Sequence, residues 1–329
     1  MDRIVSVLSS NRGIALLITL WMLVIMMVTA FSFSSLVRTE VYSAFSHKEN
    51  LENKYFAEAG LERGIAEVFY RIAFKNQTQL PGNNHLNTAV FEVDGTSYTE
   101  KLGEGYYRVS IADDGGKINI NELSDQNAAF LSTRLINGGL TKEKAEEIVD
   151  AVLDWKDEDD HTRLRGAETG YYQTLNVPYQ AANRPFEALE ELLLVRGVDP
   201  ELLYGADHGK GIIQDLTIHS KSPQIKLDVA SKDVLMAIPG MTEDIFDGIL
   251  AARQGPLVDK IREYQNMLGN RQPALIPYLD IGESGIYTIR SIGYRQNEKT
   301  GYVVEATIMV EGNSKFSYLY YKSPGHITP

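Results

Sequence analysis

The chain has 329 residues, 43% of them hydrophobic and 23% charged, which is enough for a packed globular body rather than a disordered one. Its 32 Lys and Arg face 44 Asp and Glu, and this net charge of −12 argues against a phosphate-backbone binder because no local basic stripe offsets it. With no cysteine, disulfides, thiolate zinc sites, iron–sulfur clusters and a Cys nucleophile are excluded, although the compartment is left open.

The first informative element is an uncharged run from Ile14 to Val37, IALLITLWMLVIMMVTAFSFSSLV. A helix of this length crosses a bilayer core. Arg3 and Arg12 precede it, and the positive-inside rule puts the N-terminus in the cytoplasm and the C-terminal body outside. A cleaved secretory signal would have a shorter apolar region closed by small residues; Thr29-Ala30 and Ser32 are all that favour it. Arg12-Gly13-Ile14 joins a short polar leader directly to the apolar run. That junction resembles the leader of type IV prepilins and pseudopilins, which a membrane-embedded peptidase cuts after the glycine. The resemblance implies cleavage between Gly13 and Ile14, with the apolar helix retained. Most pilins carry Glu at the fifth mature position, where this chain has Ile18. A carboxylate there needs the charged N-terminus of a neighbouring subunit. A subunit with no neighbour above it has no use for one, so Ile18 fits a tip position.

Glu40 to Phe74 continues without proline, and Leu61, Ile65, Val68 and Ile72 form a helical stripe whose simplest reading is core packing. Pro81-Gly82-Asn83-Asn84 then reads as a turn. Ala89–Val93 and Ser97–Leu102 read as strands flanking an Asp94-Gly95 hairpin. Tyr107, Val109 and Ile111 alternate with polar residues. Near the end, Tyr302, Val304, Ala306, Ile308 and Val310 alternate, and Phe316, Tyr318 and Tyr320 are expected to share a face. The stretch between is helical in pattern. Strands, a helical block and strands again give an α+β class with an insertion.

The insertion holds a weak internal repeat. Gly139-Leu140-Thr141 followed by Ile148-Val149 is matched by Gly240-Met241-Thr242 followed by Ile249-Leu250. Each copy follows a β-like piece, Lys117–Asn121 or Ile225–Asp228, and each Thr is placed to cap a helix. Such turns resemble helix-hairpin-helix or SAM-like modules, but Glu243 and Asp244 would repel phosphate.

The densest acidic run is Leu153-Asp154-Trp155-Lys156-Asp157-Glu158-Asp159-Asp160. Asp150, Asp154 and Asp157 share a helix face, at the end where the helix dipole disfavours acids. Hard oxygen donors at this density suit calcium. Counting Asp157 as position 1 puts Asp159 at 3 and Glu168 at 12, the EF-hand offsets, but His161 at 5 and Thr162 at 6 break that motif. A solvated acidic helix end is the competing reading. Catalytic patterns are not found: the six histidines lack ligand spacing, and neither a phosphate-binding loop nor Gly-x-Ser-x-Gly occurs.

Several segments together resemble the type II secretion minor pseudopilin K family: Arg12–Leu17, Phe56–Glu62, Asp114–Asn121, Leu153–Asp160, Gly166–Tyr172, Asn183–Phe186, Glu190–Leu192 and the second hairpin. Ile18 fits this family in particular. The resemblance implies a type IV pilin-like fold with a large inserted helical domain and no enzymatic role. It divides the chain into a leader (1–13), a transmembrane helix (14–37), an amphipathic continuation (38–75), a first β region (86–119), an insertion (120–280, with modules at about 120–205 and 225–280) and a second β region (281–329). It also implies N-methylation after cleavage and calcium on Asp154, Asp157, Asp159, Asp160 and Glu168. The implied partners are minor pseudopilins I and J at a pseudopilus tip, then pseudopilin H and the major pseudopilin G, together with the prepilin peptidase and an inner-membrane assembly platform. The location implied is the inner membrane, with a periplasmic body. A minor pilin of a type IV pilus-like system is the alternative, and a single-pass receptor or an anchored hydrolase are more distant ones.

Overall fold

A computed structural model describes residues 11–74, 91–205, 211–253, 257–271, 273–312 and 315–325. Most of the leader, the 81–84 turn, residue 75, residues 86–90 and His85, His208 and His326 lie outside the described residues. Two units are distinguished, one ending at Glu52 and one beginning at Asn53.

Helix α1 runs from Asn11 to Phe74. In the first unit its Ile14–Val37 part is apolar, every described side chain from Ile14 to Leu51 is exposed, and the helix is long and apolar enough to cross a membrane. In the second unit the same helix becomes amphipathic. Ala57, Leu61, Ile65 and Val68 are buried against a five-stranded antiparallel sheet, as the stripe requires.

The sheet consists of β1 (Asp94–Leu102), β2 (Gly105–Asp113), β7 (Ile286–Tyr294), β8 (Tyr302–Glu311) and β9 (Lys315–Lys322), in the order β1-β2-β7-β8-β9. Strand alternation puts Val109 and Ile111 of β2, Ile289 of β7, and Val304, Ala306 and Ile308 of β8 under the helix. Each such buried Val or Ile side chain contributes roughly 1.5–3 kcal/mol. Helix and sheet meet at glycines. A Cβ at Gly60 would overlap Ser291 Oγ, and one at Gly293 would overlap the backbone of Asn53 and Ala57.

Two local expectations are corrected. Asp94-Gly95 is not a hairpin turn: it lies within β1, where the register shifts between Asp94 and Ser97, and the turn is at Gly103-Glu104, with Gly103 at φ +59°. Nor do Phe316, Tyr318 and Tyr320 share a face. The β8–β9 register shifts between Thr307 and Ile308, so Tyr318 opposes Ile308 whereas Tyr320 opposes Thr307. Phe316 packs edge-on to Phe69 of α1, while the Tyr320 hydroxyl donates to Glu190 Oε1 on the other side of the sheet.

Between β2 and β7 the chain leaves the sheet at Asp113 and returns at Ile286, so it departs before residue 120 and returns after residue 280. Its elements in order are β3 (Ile118–Asn119), α2 (Ala129–Asn137), α3 (Lys142–Lys156), α4 (Thr169–Tyr172), α5 (Pro200–Tyr204), β4 (Leu216–Thr217), β5 (Ile225–Lys226), α6 (Lys232–Leu235), α7 (Glu243–Arg253), α8 (Leu257–Arg271) and β6 (Leu279–Asp280). The repeat takes the same form twice: a short strand paired in parallel (β3 with β4, β5 with β6), a helix, a Gly-apolar-Thr turn, and a second helix. Both turn glycines are left-handed, Gly139 at φ +102° and Gly240 at φ +92°. Thr141 Oγ1 accepts from Lys144 N, and Thr242 Oγ1 from Ile245 N.

A polar hub ties the insertion to the sheet. Asp113 accepts from Gly115 N at 2.7 Å, Ser284 N at 2.8 Å and Ser284 Oγ at 2.6 Å. Asp114 accepts from Thr217 Oγ1 at 2.7 Å, Thr288 Oγ1 at 2.8 Å and Lys117 Nζ at 2.6 Å.

Candidate metal centre

Helix α3 positions the acidic cluster. Its apolar face, including Ala145, Ile148, Val149 and Val152, packs into the insertion core. Its last turn is buried too, so Asp154 is 0% exposed and Trp155 2%. Asp157 caps the helix, donating its N–H to Leu153 O. The following loop folds back over this end. Asp150 Oδ2 accepts from Arg165 N at 3.1 Å, and Gly166 packs so tightly that a Cβ would overlap Asp154 Oδ2. The chain then delivers Glu168, 3% exposed, at the start of α4.

Three carboxylates converge: Asp154, Asp157 and Glu168 each offer an oxygen within 4.8 Å of the others. Oxygens bound to one calcium lie roughly 2.3–2.6 Å from it, and hence within about 5 Å of each other. Asp157 Oδ1 and both oxygens of Glu168 are buried without a hydrogen bond of ordinary geometry. Burial, then the charges of Asp154 and Asp157, push the Glu168 carboxyl up to about 7. Burial likewise raises Asp154, against hydrogen bonds from Arg163. Carboxylates that repel one another, with Asp157 Oδ1 and both Glu168 oxygens left without donors, form the donor set a hard divalent cation satisfies.

Two of the five residues expected from the sequence lie outside this trio. Asp159 is exposed; its Oδ1 accepts from His161 N at 2.7 Å, which holds its carboxyl below the ordinary range. Asp160 is also exposed, and its Oδ1 accepts from Asn183 Nδ2 at 3.3 Å. The EF-hand offset that pairs Glu168 with Asp157 agrees with their proximity, whereas Asp159 lies apart from the trio. The loop turns away after the helix cap, so consecutive acids do not point at a common centre. Arg163 was not expected. Its guanidinium Nη1 lies 3.2 Å from Asp154 Oδ1 and 2.8 Å from Asp157 Oδ2. Its sequence signal was the basic pair Arg163 and Arg165 standing alone among acids. At the other end of the chain, Gly13 lies within α1 and Ile18 is an exposed residue of its apolar part.

Comparisons with known proteins point to one family. Residues 116–205, which contain the candidate centre, match the family profile described as Type II secretion system (T2SS), protein K. Type II secretion system protein K of Klebsiella pneumoniae is 31% identical over 202 residues, covering 58% of this chain and 60% of the relative. The protein of that name from Pectobacterium carotovorum is 30% identical over 205 residues, covering 59% and 60%. The chain therefore matches about three fifths of the length of these relatives. A chain in the solved GspK-GspI-GspJ complex of the enterotoxigenic Escherichia coli type 2 secretion system superposes with a TM-score of 0.60, at 18% identity, covering 86% of this chain and 100% of that one. That likeness shows the fold, an α+β pilin-like helix and sheet with a helical insertion. Over the matched insertion and about three fifths of these relatives, the chain is similar to type II secretion system protein K.

Proposed function

We propose that this protein is a minor pseudopilin of a type II secretion system, placed at the tip of a periplasmic pseudopilus. The observation that carries the reading is the protein K match at residues 116–205, which lies within a helical insertion between β2 and β7 of a pilin-like body. Its role is mechanical and non-enzymatic. The apolar part of α1 anchors the subunit in the inner membrane with the body in the periplasm, and a prepilin peptidase removes Met1–Gly13 to leave an N-methylated Ile14. The body assembles with minor pseudopilins I and J, a partnership supported by the fold likeness to a chain of the GspK-GspI-GspJ complex. Pseudopilin H and the major pseudopilin G follow below, extended by the inner-membrane platform. A bulky insertion fits where no subunit stacks above, and Ile18 provides no carboxylate for such a neighbour.

Calcium is the proposed structural ion, held by Asp154, Asp157 and Glu168. Support comes from the three converging carboxylates and the unpartnered oxygens of Asp157 and Glu168. The ion supplies local cross-linking where the chain has no cysteine. The functional test is complementation of a strain lacking its own protein K gene. Restored export of folded proteins supports the role; normal assembly of this subunit with no restoration of export opposes it.

A further inference from the structure

The candidate centre already contains a cation of its own. Arg163 Nη1 bridges Asp154 Oδ1 at 3.2 Å and Asp157 Oδ2 at 2.8 Å, and its backbone N–H donates to Asp154 Oδ2 at 3.1 Å. Its Nη2 reaches the exposed Asp125 at 3.5 Å. The oxygens that Arg163 does not reach are the ones left without partners, Asp157 Oδ1 and both Glu168 oxygens, and Glu168 is 97% buried. The centre is thus divided between oxygens held by a tethered guanidinium and oxygens open to an ion. Three ionised carboxylates and one guanidinium sum to −2, the charge that one divalent ion neutralises.

We propose that Arg163 is a tethered competitor that sets the ion preference of this centre, weakening cation binding overall and disfavouring trivalent ions most. The inference rests on the metal-binding reading of Asp154, Asp157 and Glu168. A guanidinium stays charged at any physiological pH. Held on two of the three ligands, it repels an incoming cation in proportion to that cation's charge. Removing its charge therefore tightens binding of every cation, and of a trivalent one more than a divalent one. A residue that merely orients Asp154 and Asp157 would behave in the opposite way, since its loss would loosen the ligands and weaken both ions.

The test uses the full chain in detergent, titrated calorimetrically with calcium and with terbium(III), as wild type, Arg163→Gln and Arg163→Lys. Glutamine removes the charge, whereas lysine keeps it and controls for disturbed folding. Arg163→Gln is expected to bind calcium on the order of tenfold more tightly, with a larger gain for terbium, while Arg163→Lys stays within about threefold of wild type. Calcium binding to wild type that is unchanged or weakened in Arg163→Gln overturns the competitor and leaves the metal centre standing. Binding that appears only in Arg163→Gln supports the competitor and removes calcium as the resident ion. Binding to none of the three chains overturns both.

Discussion

Glu168 shows most directly what single side chains contribute. Without an ion it is a buried carboxylate beside two others, raised to about 7 by burial and by those neighbours. Calcium at about 100 times its dissociation constant would stabilise the fold by about 2.7 kcal/mol. For a body of this size that raises the melting temperature by roughly 5 °C. Glu168→Gln should lose most of this response and melt no lower than wild type in chelator, because it removes a repelling charge; differential scanning calorimetry with and without chelator reads both effects. Asp113 supplies a pH dependence. Burial pushes its carboxyl up to about 6 despite hydrogen bonds from Ser284 and Gly115. The folded state therefore holds its proton more tightly than the unfolded chain does. The stabilisation is fully present below the ordinary value near 3.8 and is lost as pH rises through about 6. Urea melts in chelator should show wild type losing stability relative to Asp113→Asn between pH 4 and 6, and a constant difference would refute this. The sequence made Asp154, Asp157 and Glu168 legible because density and offset survive in one dimension. It did not reveal that Asp159 and Asp160 lie apart from this trio, because they are diverted by a loop path that local spacing does not encode. Arg163 was hidden for the same reason: its partners lie nine and six residues back and meet it only once the loop has folded over.

At the scale of elements, α1 was legible because one helical period runs through Leu61, Ile65 and Val68, and the β8 alternation because Val304, Ala306 and Ile308 all face the helix. The two bulges were not, since one extra residue leaves the alternation on either side intact while reversing the faces beyond it. The two-residue strands β3 to β6 carry too little pattern to be seen as pairs, yet the repeated Gly-apolar-Thr turn did mark both hairpins. Docking of α1 on the sheet depends on close backbone approach. At Gly293 an added methyl would meet the backbone of Asn53 and Ala57, which cannot rotate away as a side chain can. Gly293→Ala should therefore cost about 1–3 kcal/mol or more in chemical denaturation, whereas Gly170→Ala, in α4 where a Cβ meets nothing within 4 Å, should be neutral or slightly stabilising. Equal costs at the two positions would contradict the packing account.

For the whole molecule, the apolar start of α1 and the insertion make separate predictions. Ile18→Glu places a carboxylate in the anchor with no neighbour above to pair it, so assembly and secretion should fall. Unchanged secretion with unchanged incorporation would argue against the tip position. The central claim is that this chain joins a pseudopilus tip with I- and J-type partners. It is tested most directly by co-expressing the tagged full chain with its own system's minor pseudopilins I and J, purifying in detergent, and measuring the mass of the product. The account predicts a stable complex with one copy of each of the three chains. Recovery of this chain alone, folded but without I or J, would contradict it.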